Sequence, residues 1–324
     1  MHDQDQDIDQ LMQAVVGGEV VQFPPSKSRA KHTDAKPEQA KAAAIAALTA
    51  ELSLELEQNA APVVVDPRTL AVRFSNLKHI AKSPLHYYDA VQTDRDDTLA
   101  MRLGRGAHAM VLGEPVIQYP GRRAGAAWEA FKAEHADKEI LNAKEWHIAS
   151  SVNAAIRRHP DAQRLLLGSE VVREQQITWE WLGRRCTSRP DARAFNASFL
   201  CDLKTTQCAD PEKFWRDAMW RGYHAQLAFY ALAVRHATGV EPSDLFVMAV
   251  ESKRPYAVTV LRLDDSARIA GEKMCRLWME RLLACEASNA WPAYTDAVVT
   301  VSALDNDGDP DNAIDIDDTD PVWA

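Results

Sequence analysis

Apolar positions along this chain recur first at helical and later at strand spacing. From about Pro37 to Glu57, Ala, Leu and Ile fall at intervals of three and four with charges between them, which predicts an amphipathic helix that Pro62 stops. Residues 75–90, 99–113 and 123–167 carry the same period, the last group broken near Lys138 to Asn142 and closed before Gly168. Then the period becomes two. Glu174 to Trp181 alternates around Ile177 and Trp179, Gly183 supplies a turn, Arg185 to Phe195 reads as a second strand and Ser198 to Lys204 as a third, predicting a meander. Residues 211–238 predict one long helix, Asp244 to Ser252 a buried strand, Ala257 to Leu263 another, and Ser266 to Ala287 a closing helix. This order predicts an α/β layered fold with a mixed central sheet flanked by helices.

Composition places limits on this pattern. A chain of 324 residues, 46% hydrophobic and 26% charged, is that of a globular protein able to bury a sizeable core. No apolar run approaches the ~20 residues of a membrane helix, and Met1-His2-Asp3-Gln4-Asp5 opens acidic rather than basic. A cytoplasmic protein that does not enter a membrane is expected. The net charge of −10 is concentrated at the ends: five acidic residues lie in 1–22 and eight Asp in 305–324, with no Lys or Arg in either. Removing those thirteen leaves 34 acidic against 37 basic residues, so a locally basic groove for an acidic substrate is compatible with the middle of the chain. Residues 1–65 read as a polar, disordered arm with the amphipathic helix, 66–296 as the folded domain, and 297–324 as an acidic, disordered tail. The helix lacks the basic face of membrane-surface helices, so packing on the domain or on a neighbour is its expected role. Cys186, Cys201, Cys208, Cys275 and Cys285 are odd in number and form no CxxC pair, which argues against a disulfide framework or a zinc ribbon.

Chemistry concentrates in Arg189-Pro190-Asp191 and, nine residues later, Cys201-Asp202-Leu203-Lys204-Thr205-Thr206. Side chains alternate along a strand, so Asp202 and Lys204 share one face while Leu203 points into the core. Asp191, on the neighbouring antiparallel strand, brings a second carboxylate beside Asp202, and two such oxygens suit a hard divalent ion such as Mg²⁺. The Lys204 ammonium can then orient an attacking water and offset charge developing on a phosphate. Alone, D-x-K is a weak signal, since charges alternate on many solvated strands. The following helix adds Gln226 and Tyr230, one turn apart on one face, either as a polar surface or as groups that orient water, Lys204 or a phosphate.

Together with Phe74-Ser75-Asn76-Leu77-Lys78, Ser83-Pro84-Leu85-His86-Tyr87, Leu103-Gly104-Arg105-Gly106-Ala107-His108, Gly113-Glu114-Pro115 and Tyr223-His224-Ala225-Gln226 with Phe229-Tyr230, these segments resemble the PD-(D/E)xK nucleases. The resemblance is to the exonuclease VIII-like (RecE-type) branch, related to the RecB nuclease domain and phage lambda exonuclease, and covers about residues 70 to 290. It implies a restriction-endonuclease-like core and 5′→3′ degradation of duplex DNA to mononucleotides with Mg²⁺ or Mn²⁺. It further implies that His108, Asp191, Asp202 and the Leu203 carbonyl ligate the metal, that Lys204 is the catalytic lysine, that Glu174 fills an acidic position, and that Gln226 and Tyr230 form the trailing motif. On residue type alone a lone histidine in this helix is more often a packed core residue, and the motif context is what raises His108 to a ligand. Arg105 departs from the family pattern, which has a small or hydroxyl residue there. The spacing of Cys275 and Cys285 lacks the closely spaced trio of the iron–sulfur members, so no cluster is expected. The partners implied are double-stranded DNA ends and a single-strand annealing protein. A homo-oligomeric ring, trimer or tetramer, is also implied, with the helices at 38–57 and 266–287 as contact candidates. Competing readings are a RecB- or Cas4-like nuclease acting on single strands or flaps, and a catalytically inactive DNA-binding relative.

Overall fold

In the computed structural model, residues 65–93 and 98–301 are described; the arm and helix read within 1–57 and the Asp-rich tail from 305 lie outside them. The helix predicted over 75–90 is two. Helix α1 (Phe74–Leu77) runs into a 3-10 turn, and α2 (Pro84–Gln92) starts afresh because Pro84 cannot donate into a preceding turn and Ser83 caps the new helix, its Oγ accepting from His86 N–H. Helix α3 (Leu99–Leu112) is capped by Thr98 and closed by Gly113 at φ 87°.

The break expected near 138–142 holds a strand. β1 (Val116–Gln118) and β2 (Glu139–Leu141) form a small parallel ribbon around α4 (Ala126–Glu134). An Asn142–Glu145 capping box then opens α5 (Ala143–Arg158), and Pro160 separates it from α6 (Pro160–Leu167). The ribbon's strands, three residues each, are too short for a period to register.

The predicted meander is divided between two sheets. β4 (Ile177–Trp181) and β5 (Arg184–Ser188) are a separate hairpin, whereas β3 (Val171–Arg173), β6 (Ala192–Ala194), β7 (Phe199–Thr206), β8 (Asp244–Glu251) and β9 (Val258–Arg262) form the central sheet in the order β3-β6-β7-β8-β9. The single strand read over 185–195 is thus β5 and β6, interrupted at Arg189-Pro190, where proline has no N–H for a ladder. β7 and β8 are parallel and the other neighbours antiparallel, so the sheet is mixed. The long helix read over 211–238 is α7 (Pro211–Trp220) and α8 (Tyr223–Thr238), parted at Gly222, whose φ of 74° no right-handed helix accommodates. Helix α9 (Asp265–Ser288) closes the domain.

Both faces of the central sheet are buried. Leu200, Leu245, Val247 and Ala249 pack with α8 and α9 on one face; Cys201, Leu203, Met248 and Val250 pack with α3, α5 and α6 on the other. This explains why β8 reads as a continuous apolar run rather than an alternation. Two glycines allow the tightest approaches: a Cβ on Gly106 would lie 2.5 Å from Leu141 Cδ2, and one on Gly271 would lie 2.5 Å from the His224 carbonyl oxygen. The first seats α3 on β2 and the second joins α9 to α8. Among the described residues no helix is long and apolar enough to cross a membrane.

Candidate active site

The pleat of β7 sorts its side chains, sending Leu200, Asp202 and Lys204 toward α8 while Cys201 and Leu203 go to the opposite core. Asp202 and Lys204 therefore meet, Nζ 2.6 Å from Oδ2, with the carboxylate almost wholly buried. Burial pushes the Asp202 carboxyl up, with Lys204 opposing the shift and Asp191 adding to it. Burial works against the Lys204 ammonium, but the Asp202 and Asp191 charges outweigh it and keep the group protonated.

Asp191 immediately precedes β6. The pairing Ala192↔Cys201, continued by one step, sets Asp191 opposite Asp202. Its Oδ2 accepts the Leu203 N–H at 2.6 Å and lies 3.6 Å from His108 Nδ1 on α3. Burial alone would raise the Asp191 carboxyl, yet His108, Lys204 and the Leu203 N–H hold it below the usual carboxylate range. For His108 the balance is similar, burial lowering the imidazole and Asp191 more than restoring it.

Glu174 arrives from the loop between β3 and β4, with φ 51° and its N–H donated to the Asp191 carbonyl at 3.1 Å. One donor atom from each of His108, Glu174 and Asp191 lies within 4.8 Å of the other two. Burial and the Asp191 charge push the Glu174 carboxyl up to about 7 against the pull of Arg189. An imidazole nitrogen and two crowded carboxylates, brought from three separate elements, are a donor set that a hard divalent cation fits and whose mutual repulsion it would relieve.

Arg189 spans the site. Its Nε is 2.5 Å from Glu174 Oε2, and its other end pairs with Glu114. His108, Glu114, Glu174 and Arg189 line a cavity of about 510 Å³, in whose wall Arg105 pairs with Glu139 at 3.2 Å. Arg189 also lines a second cavity of about 360 Å³ with Ser188, Gln226 and Tyr230. There Gln226 Nε2 donates to Tyr230 Oη at 3.0 Å, and burial pushes the Tyr230 phenol up to about 12.

The structure thus brings His108, Glu174 and Asp191 into one group and sets the Asp202–Lys204 pair across the β6–β7 hairpin from it. Asp202 is not one of the three clustered donors, and Leu203 is engaged through its N–H. Three residues received no role from sequence: Glu114, Arg189 and Tyr223. All three lie inside the motif segments, and Tyr223, Gln226 and Tyr230 fall at i, i+3 and i+7 of one helix face, a spacing that already grouped them.

A mixed sheet buried on both faces, with D…DxK on adjacent antiparallel strands and a histidine and a glutamate converging on the first aspartate, defines a PD-(D/E)xK-type α/β domain. The chain belongs to the family described as PDDEXK-like domain of unknown function (DUF3799), which matches residues 73–302. Among solved structures it is similar to a candidate exonuclease from Eubacterium rectale, at 17% identity and a TM-score of 0.52 over 72% of this chain and 92% of that one. A phage-related exonuclease from Haemophilus somnus 129PT (10% identity, TM-score 0.31, 57% of this chain and 95% of that one) also matches. So does an alkaline exonuclease from Laribacter hongkongensis (15%, 0.28, 56% and 89%). At 17% identity the first of these likenesses is one of fold. No curated protein matches the chain.

Proposed function

We propose that this protein is a metal-dependent exodeoxyribonuclease that degrades linear duplex DNA 5′→3′ to mononucleotides, in recombination or phage DNA metabolism. The observation that carries the reading is the His108–Glu174–Asp191 donor group set beside a half-buried, charged lysine held by the buried Asp202. Mg²⁺ or Mn²⁺ is the cation proposed for the group, with Asp202 and the Leu203 carbonyl completing the ligands. When bound, the cation supplies Lewis-acid polarisation of a scissile phosphate. The chain's own residues do the rest. Asp202 fixes the Lys204 ammonium, whose charge then stabilises negative charge developing on the phosphate oxygens without reorganising. Asp191 couples the two halves, since one carboxylate faces His108 and also holds the backbone between Asp202 and Lys204. Gln226 and Tyr230, hydrogen-bonded to each other in the adjoining cavity, orient water or phosphate there. Duplex ends and an annealing protein are the proposed partners, and a ring of three or four copies is the proposed assembly.

The test is a time course on 5′- and 3′-labelled linear duplex with Mg²⁺ and with EDTA. Release of the 5′ label as mononucleotide, only with metal and slowed ~10²-fold or more in Lys204→Ala, is expected. Metal-independent cleavage, or release of the 3′ label first, would overturn the reading. Cleavage of single strands in preference to duplex would do the same. A monomer by light scattering, arrested at once by competitor DNA, would remove the ring.

A further inference from the structure

A lysine held only by a carboxylate remains mobile, because a four-carbon stem can swing its ammonium about a single fixed point. In this protein the ammonium has a second neighbour. Lys204 Nζ lies over the face of the Tyr223 ring, 4.8 Å from its centroid, while Asp202 Oδ2 holds it at 2.6 Å. The backbone is arranged to present that ring. Gly222, at φ 74°, ends the course of α7 and makes Tyr223 the first residue of α8, and the Phe214 ring of α7 packs beside it, tilted, at 6.3 Å between centroids.

A neutral π-face suits this position in a way a second carboxylate would not. It attracts the cation through its quadrupole, yet adds no negative charge that would repel an incoming phosphate or compete for a metal ion. From this geometry we infer that Tyr223 is a positioning residue for Lys204, its ring forming the second of two fixed points that aim the ammonium at the substrate. This inference rests on the nuclease reading above, with Lys204 as the group that meets the phosphate. It assigns the work to the ring and not to the phenolic hydroxyl. Burial nonetheless pushes the Tyr223 phenol up, so the ring stays neutral.

The test compares Tyr223→Phe, which keeps the π-face, with Tyr223→Leu, which keeps apolar bulk and removes it. With full-length protein, Mg²⁺ and 5′-labelled duplex, Tyr223→Leu should lower kcat about 2- to 30-fold, the range of a partly desolvated cation–π contact, at unchanged KM. Tyr223→Phe should restore kcat. A ring that merely fills space would be replaced by leucine without loss. Independently of activity, the Lys204 side-chain resonances of the metal-free protein should be shifted upfield by the ring current in wild type and in Tyr223→Phe, and should lose that shift in Tyr223→Leu. Full kcat in Tyr223→Leu, equal loss in both variants, a change confined to KM, or the absence of a ring-current shift on Lys204 in wild type would each overturn the inference. The resonance shift decides the matter if Tyr223→Leu does not fold. Absence of cleavage by wild type defeats the nuclease reading instead, while the shift still reports whether the ring holds the lysine.

Discussion

Replacing Asp191 by asparagine and by alanine separates its two tasks, because one side chain serves both the donor group and the backbone of β7. Its Oδ2 accepts the buried Leu203 N–H at 2.6 Å. Alanine leaves that donor without a partner in a fully buried position, which costs about 1–3 kcal/mol. Asparagine retains an acceptor there and loses chiefly the charge assistance, about 1 kcal/mol. At roughly 2–4 °C per kcal/mol for a domain of this size, the metal-free alanine variant should melt about 2–12 °C below wild type, with asparagine in between. Added Mn²⁺ at a hundredfold excess over its dissociation constant should stabilise wild type by about 2.7 kcal/mol and neither variant. The pH dependence has a definite sign. A carboxyl held below its ordinary value of 3.8 contributes stability that is present above that value and is lost as the pH falls, so the gap between wild type and Asp191→Asn should narrow in acid. Thermal melts in EDTA and in Mn²⁺, at pH 7 and near pH 3.5, supply all four quantities. Equal metal-free Tm values for the two variants would refute the role of Asp191 as the anchor of Leu203, and a Mn²⁺-induced rise in either would remove Asp191 from the donor group.

His108→Leu should fold and bind DNA but not cleave it, whereas His108→Asp should regain part of the activity at raised Mn²⁺, since hard ions accept oxygen donors; an active leucine variant would return His108 to a packing role. Arg184 pairs with Glu286 at 3.0 Å, both side chains nearly buried, and also donates to the Pro67, Arg68 and Leu70 carbonyls, so Arg184→Met should lose about 3–5 kcal/mol in urea denaturation. Burial already holds Glu286 above its ordinary 4.5 against the opposing Arg184, and an acid raised in this way destabilises increasingly as pH rises past that value, so the variant's deficit should be larger at pH 8 than at pH 5. A pH-independent deficit would show that Glu286 is not left charged and unpaired. Gly271→Ala would drive a Cβ to 2.5 Å from the His224 carbonyl oxygen and should cost about 1–3 kcal/mol by calorimetry; a neutral change would mean that α8 and α9 separate freely.

Long periodic elements were legible in the sequence because periodicity is a property of one chain segment. Helix α3 and strand β8 fall where their patterns put them. Misreadings came at punctuation: Ser83-Pro84, Arg189-Pro190 and Arg221-Gly222 each interrupt a run whose apolar spacing continues across them. For the site, the same-face relation of Asp202 and Lys204 follows from the pleat alone, and their ion pair realises it. That Glu174 would stand with His108 and Asp191 had no such route. It depends on a loop residue at φ 51° and a backbone hydrogen bond to a residue seventeen positions later, neither of which leaves a periodic trace. Arg189 escaped for a related reason, since its partners Glu114 and Glu174 come from distant loops.

The hairpin that sets Asp191 opposite Asp202 makes the site an all-or-none inheritance. Side-chain direction on a strand has only two values, so sliding β6 by one residue against β7 would not weaken the pairing by degrees but would turn one carboxylate to the other core. The place in this part of the chain where length can change without moving the ladder is the connection at 195–198, where Phe195 stands 74% exposed and Ala197 already takes φ 60°. An insertion scan should show a sharp boundary, with additions tolerated within those four positions and function abolished by a single residue added on either flank. The loops around this ladder can be remodelled freely, whereas its count cannot be adjusted by a single residue without dismantling the site.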